Sequence, residues 1–365
     1  MGSLRTLLAL TVLLTHSYGG LVLVGGQNAV RLFYLISGFL ISYVLTEARS
    51  YNDLRSFYVN RFLRLYPIYA TVAAATLIFY VAIGQQAFFD VYRDSPASAR
   101  AMLALTNVVL FGQDWVMFTA IEHGRLVLSA DFWRSDIPLY EGLLAPQAWT
   151  LGVEMSFYLV APFILPRRKW LLAAFVASLA IRLVLLRKGL GWNDPWNYRF
   201  FPSELCLFLA GSLAHQHLLP LYKRIGRDGL QAAAKGATAF LIALVLVYPL
   251  LPLSELAKMA LLFPAFAIAM PLAFVFQSHS KLDRWIGEFS YPVYIGHMLV
   301  FSAVTALCAH LRIGSKVTIA TAAVLGSLAL AYLLNASVGR VVERIRRRVR
   351  EQRPPMVTLN REVSA

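Results

Sequence analysis

Residues 257–277 read AKMALLFPAFAIAMPLAFVFQ, a run whose one charge is Lys258. A helix rises about 1.5 Å per residue, so such a run is roughly as long as a bilayer's ~30 Å hydrocarbon core is thick. Outward from it in both directions lie nine more apolar runs, near 4–24, 29–47, 63–84, 146–166, 169–187, 200–218, 235–253, 288–310 and 314–336. The stretch 100–112 is too short to span comfortably and is expected to lie on or dip into the surface. The pattern predicts an all-α polytopic membrane protein with about ten transmembrane helices. Composition agrees: of 365 residues, 58% are apolar and 15% charged, with a mean hydropathy of +0.61. Soluble domains carry about 25% charged residues. A soluble globular enzyme, a disordered chain and a coiled coil are excluded.

The net charge of +15 suits a nucleic-acid binder at first sight. In a membrane protein it is read first as orientation. With the N-terminus inside, most of the 34 basic residues fall on the cytoplasmic side, among them Arg5, Arg61, Arg64 and the arginines beyond Gly339. Both termini are therefore expected in the cytoplasm, and nucleic acid is not an expected partner. Residues 1–338 are read as one transmembrane domain, with a single large outer loop at 85–145. Residues 339–365 are read as a basic tail, helical as far as Arg353 and resting on anionic lipid heads. The N-terminal run is too long for a signal peptide's apolar core and is read as a retained span. Cys206 and Cys308 sit within apolar runs, so no disulfide framework is expected.

Ionisable groups at bilayer depth are costly and mark function by default. Four stand out: His16, Glu154, His297 and Glu204. Counting residues from the nearer membrane edge puts the first three at similar depth. Arg5 lies eleven positions before His16, so the two share one helical stripe about 16 Å apart. Arg61 and Arg64, at i and i+3, share a face at the cytoplasmic edge. Blander readings stand beside these: arginines snorkelling to lipid phosphates, a histidine bonding a neighbouring helix, Glu204 bonding Arg199. The tryptophans, including Trp149, fit an interfacial belt. No histidine pair has convincing metal-ligand spacing, and no metal is expected. Walker A, GxGxxG and GxSxG motifs are absent.

Six segments together resemble the integral-membrane acyltransferase 3 family, bacterial O-acyltransferases of surface sugars and some small molecules. They are LRTLLALTVLLTH (4–16), LFYLISGFLIS (32–42), FYVNRFLRLYPIY (57–69), WTLGVEMSFYLVAP (149–162), RFFPSELCLFLAGSL (199–213) and FSYPVYIGH (289–297). They run nearly end to end in the family's order. One departure is Asn60, where the family often has the first of two adjacent arginines. The stand-alone form, without an appended esterase-like domain, is the one resembled.

The resemblance implies transfer of an acyl group from acyl-CoA, acetyl-CoA in the first instance, to a hydroxyl in the bacterial inner membrane. Arg5, Arg61 and Arg64 are expected to hold the donor's phosphates. His16 is expected to be the general base, with His297 at similar depth. Glu154 or Glu204 is expected to orient the ring as a triad carboxylate does. Tyr291, Tyr294 or Ser37 is expected to donate to the oxyanion. The acceptor is a surface polysaccharide or lipid-linked sugar, or alternatively a small molecule such as a macrolide. A transporter using His and Glu as a proton relay is the rival class.

Overall fold

Lipid offers the backbone no hydrogen-bond partners, so an apolar run satisfies its own amides by coiling into a helix. The computed structural model describes residues 1–17, 22–48, 53–312 and 314–351, and they are overwhelmingly helical. The chain opens with α1 (Gly2–Ser17), α2 (Gly26–Ser42) and α3 (Leu54–Ile83). The expected loop at 85–145 is folded: α4 (Gln86–Asp94) and α5 (Ala97–Val109) precede a hairpin of β1 (Thr119–Glu122) and β2 (Arg125–Leu128). Then come α6 (Trp149–Ile164), α7 (Arg168–Arg187), α8 (Phe201–Leu213) and the single turn α9 (Leu219–Tyr222). The chain continues through α10 (Arg227–Val247), α11 (Glu255–Ser278), α12 (Lys281–His310) and α13 (Lys316–Leu334) to the basic α14 (Arg340–Glu351). Residues 18–21 of the first expected span and 352–365 of the expected tail lie outside the described residues.

The all-α, multi-span expectation holds. Among the described residues, seven helical segments are long and apolar enough to cross a membrane. Three expected spans are not among these: α1 and α6 have 16 residues each, and α8 runs on through a π-helical turn (Ala214–Leu218) into α9, so the expected 200–218 is helical from Phe201 onward. These three sit in the middle of the bundle. Their Leu4, Leu8, Val153, Phe157, Phe208 and Leu209 are fully buried against protein. They face neighbouring helices, whereas α7, with Val176, Leu183 and Val184 exposed, faces outward. Residues 100–109 of the stretch 100–112 belong to α5, whose Leu103 and Asn107 pack on the loop while Leu105 and Val108 face outward. The small hairpin is an addition to the all-α reading. It turns at His123 and Gly124, both at positive φ, as a two-residue hairpin connection requires.

Two close helix contacts set the geometry of the bundle centre. A Cβ on Gly38 of α2 would lie 1.8 Å from the Phe208 carbonyl oxygen of α8, and one on Gly211 would lie 1.9 Å from that of Leu35. Ser212 Oγ donates to the Gly38 carbonyl at 3.0 Å across the same crossing. Small residues permit this approach, and the hydroxyl holds it. The second contact joins α1 to α12, with Gly2 against Gly287. Asp283 caps the start of α1, accepting from the Gly2 and Ser3 amides at 2.6 and 2.8 Å and from Ser3 Oγ at 2.7 Å. A carboxylate here satisfies free N–H groups and complements the helix dipole. From this shared end α1 and α12 run side by side to the histidines.

Candidate active site

His16 occupies the last turn of α1 and faces a cavity of about 610 Å³ at the loop end of the molecule. Behind it lies His297 of α12, 1% exposed. The two rings stack, with centroids 5.4 Å apart and planes inclined by 28°. His297 Nδ1 is 2.6 Å from the Tyr294 carbonyl oxygen. A carbonyl can only accept, so Nδ1 carries the proton and Nε2 keeps its lone pair. That Nε2 is buried without a hydrogen-bond partner among the described residues. The His16 ring likewise makes no hydrogen bond among the described residues, and its contact with His297 is the stack.

The carboxylates go elsewhere. Glu154 Oε1 accepts from Ser37 Oγ and from Tyr158 OH, each at 2.5 Å. Glu204 is fully buried, its Oε1 2.8 Å from Arg182 Nη1 and its Oε2 4.0 Å from Arg31 Nε. The expectation that one of them orients a histidine is therefore corrected: among the described residues neither is bonded to an imidazole. Glu154 fixes the α2–α6 junction, and Glu204 balances two arginines at a depth where a lone charge would be costly.

The expected oxyanion donors are also committed. Ser37 donates to Glu154, and Tyr291 OH donates to the Leu65 carbonyl at 2.6 Å. Tyr294 OH donates to the Gln147 carbonyl at 3.2 Å and lies 2.8 Å from Thr150 Oγ1. Two hydroxyls that the motifs did not single out for chemistry are uncommitted. Tyr34 OH and Ser290 Oγ are buried and make no hydrogen bond among the described residues. Both line the small cavity described next. Tyr34 is fixed by stacking on Phe208, centroids 4.6 Å apart.

Three cavities form a line through the molecule. At the end opposite the loop is a basic vestibule of about 1030 Å³. It meets a neck of about 60 Å³ at Arg5, Leu40, Arg64 and Tyr291, which line both. The neck contains Ser37, Glu154, Tyr158, Tyr34 and Ser290. It meets the His16 cavity at Val30 and Tyr294, again common to both. Of the three expected phosphate ligands, Arg5 and Arg64 reach the vestibule. Arg61 does not line it; its guanidinium lies over the Phe57 and Tyr158 rings, 5.8 Å from each centroid, and lines the neck. Asn60 is fully buried, and its Oδ1 accepts from Arg61 at 3.2 Å and from Arg346 of α14 at 3.1 Å.

A family model described as an acyltransferase domain, Acyl_transf_3, matches residues 2–336. The chain belongs to the acyltransferase 3 family. No curated protein and no solved structure matches. With its apolar helices, the chain is a membrane O-acyltransferase. Two other features of this acyltransferase look like chemistry and are not. Ser42 Oγ, His215 and Glu47 form a relay, with His215 Nδ1 3.0 Å from Ser42 and Nε2 3.1 Å from Glu47. Ser42 is fully buried and takes a further hydrogen bond from Gln216, so no substrate reaches it. Cys206 and Cys308 are buried free thiols. Among the described residues, no three His, Cys, Asp or Glu side chains cluster as metal ligands.

Proposed function

We propose that this acyltransferase moves an acyl group, acetyl in the simplest case, from cytosolic acyl-CoA to a hydroxyl of a surface polysaccharide or lipid-linked sugar. On this reading it resides in the bacterial inner membrane with both termini cytoplasmic. The line of three cavities supports it best. A basic vestibule suits the donor's phosphates, a narrow neck suits a slender pantetheine arm, and a wide cavity beside His16 suits the acceptor. Arg5 and Arg64 stand where vestibule and neck meet and hold phosphate there. In the outer cavity Phe132, Trp133, Tyr140 and Trp149 offer flat faces, and Gln27 and Gln85 offer hydrogen bonds, the mixed lining a sugar needs.

His16 removes the acceptor hydroxyl's proton as that oxygen attacks the thioester carbonyl. Tyr34 and Ser290 donate to the oxygen that becomes negative. Collapse of the tetrahedral intermediate breaks the carbon–sulfur bond, and the departing thiolate takes the proton back from His16. His297 stacks behind His16 and holds that ring toward the cavity.

The test is mass spectrometry of surface glycans from cells carrying wild type, a deletion, or His16→Ala at equal protein level. Wild type should add the mass of one acyl group, and deletion and His16→Ala should both lack it. Loss of a general base costs about 10²–10⁴ in rate. Persistence of the modification in His16→Ala would overturn the assignment. Unmodified glycan in all three strains would overturn the acceptor class.

A further inference from the structure

Resting on the reading just given, we infer that the arginine face of α14 is a second wall of the donor site, binding phosphate groups of the donor rather than the membrane surface. The family match ends before α14 begins, so the shared fold does not account for this helix. Arg340, Arg344 and Arg347 recur at i, i+4 and i+7, one face of a helix. All three line the 1030 Å³ vestibule together with Arg5 and Arg64. The apolar Val341 and Ile345 lie on another side of α14 and are exposed, 53% and 41%. This helix turns that apolar edge outward and lays the three arginines, each of them exposed, along the vestibule.

The helix is also anchored. Arg346 reaches Asn60 of α3 with Nη2 and Glu343 with Nη1, at 3.1 and 2.9 Å, and its side chain is only 18% exposed. The acids in the vestibule are Asp283, Glu288 and Glu343. Asp283 is engaged by the start of α1, and Glu343 by Arg346 and, at 3.8 Å, Arg347. The balance facing the space is cationic, and its volume is at the upper end of small-molecule sites, about 1,000 Å³. A donor with a diphosphate and a separate 3′-phosphate presents anions at two distances, which suits arginines supplied by different helices, α1, α3 and α14. Anionic lipid headgroups offer the same phosphate chemistry from the bilayer.

The experiment measures coenzyme A binding by calorimetry on the full chain in nanodiscs, once in phosphatidylcholine alone and once with phosphatidylglycerol added. The variants are Arg344→Gln, Arg347→Gln and, as a control on the same helix, Arg348→Gln, which is exposed and does not line the vestibule. Each vestibule variant should weaken binding about tenfold in both lipids. The wild-type preference for coenzyme A over dephospho-coenzyme A should shrink with it, and Arg348→Gln should match wild type. Wild-type binding with unchanged affinity in Arg344→Gln and Arg347→Gln would overturn the α14 assignment and leave the acyl-CoA reading standing. A loss seen only with phosphatidylglycerol would assign the face to lipid and also overturn it. No binding by wild type would overturn the acyl-CoA reading itself.

Discussion

Tyr34 carries a buried hydroxyl without a partner, which ordinarily costs about 1–3 kcal/mol. Such a cost is tolerated where a ligand or transition state supplies the missing acceptor. Tyr34→Phe therefore separates a catalytic role from a structural one. The variant should be at least as heat-stable as wild type, because an unsatisfied group is removed. Its kcat should fall about 10²–10³-fold, the usual effect of losing one oxyanion donor, with KM for acyl-CoA little changed. Unchanged kcat would remove Tyr34 from the mechanism. Ionisable groups were legible in the apolar runs where their cost betrays them, as with His16, His297, Glu154 and Glu204. Their partners were not. Depth arithmetic fixes a level in the membrane but not which helices are neighbours. The His16–His297 stack and the capture of Glu154 by Ser37 and Tyr158 depend on how α1, α12, α2 and α6 meet. Tyr34 escaped notice because a tyrosine in an apolar run reads as packing.

Helices are the scale at which the sequence spoke most clearly, because lipid forces any long apolar run to satisfy its own backbone. It spoke less well on length. An apolar composition does not tell whether a helix faces lipid or other helices, so α1 and α6 were expected longer than they are, whereas the run at 200–218 is helical from Phe201 onward. The β1–β2 hairpin escaped because four-residue strands in a mixed loop give almost no periodic signal. The α2–α8 crossing makes the glycines testable. Gly38→Ala or Gly211→Ala forces the backbones apart, because each new methyl would lie within 2 Å of a carbonyl oxygen. Overpacking of this kind costs about 1–3 kcal/mol or more. Each variant should lower the melting temperature in detergent and slow acyl transfer, since Ser37 and Tyr34 ride on α2. Gly236→Ala in α10, whose Cβ would meet nothing within 4 Å, is the control. It should be neutral or stabilising, because alanine favours a helix over glycine by about 1 kcal/mol. Equal melting temperatures for Gly211→Ala and Gly236→Ala would show that the crossing tolerates separation.

Across the whole molecule the charge and the cavities answer each other. Much of the excess of basic residues is gathered at the end where Arg5, Arg64 and α14 frame the vestibule, while the His16 cavity at the other end is lined mainly by aromatic and neutral polar side chains. A membrane enzyme with a donor on one side and an acceptor on the other needs such an asymmetry and a passage that admits one group at a time. The neck supplies the passage, and Val30, 5% exposed and lining both neck and outer cavity, stands at its upper end. Val30→Trp places an indole in a space of about 60 Å³ and closes the route without touching the vestibule. Coenzyme A affinity should stay within about threefold of wild type. Acyl transfer should fall by roughly 10²-fold or more, because reacting groups held apart lose the benefit of alignment. Val30→Phe, a smaller obstruction, should give an intermediate loss and guards against a folding defect in the larger variant. Transfer at the wild-type rate in a folded Val30→Trp protein would show that donor and acceptor do not meet through this neck.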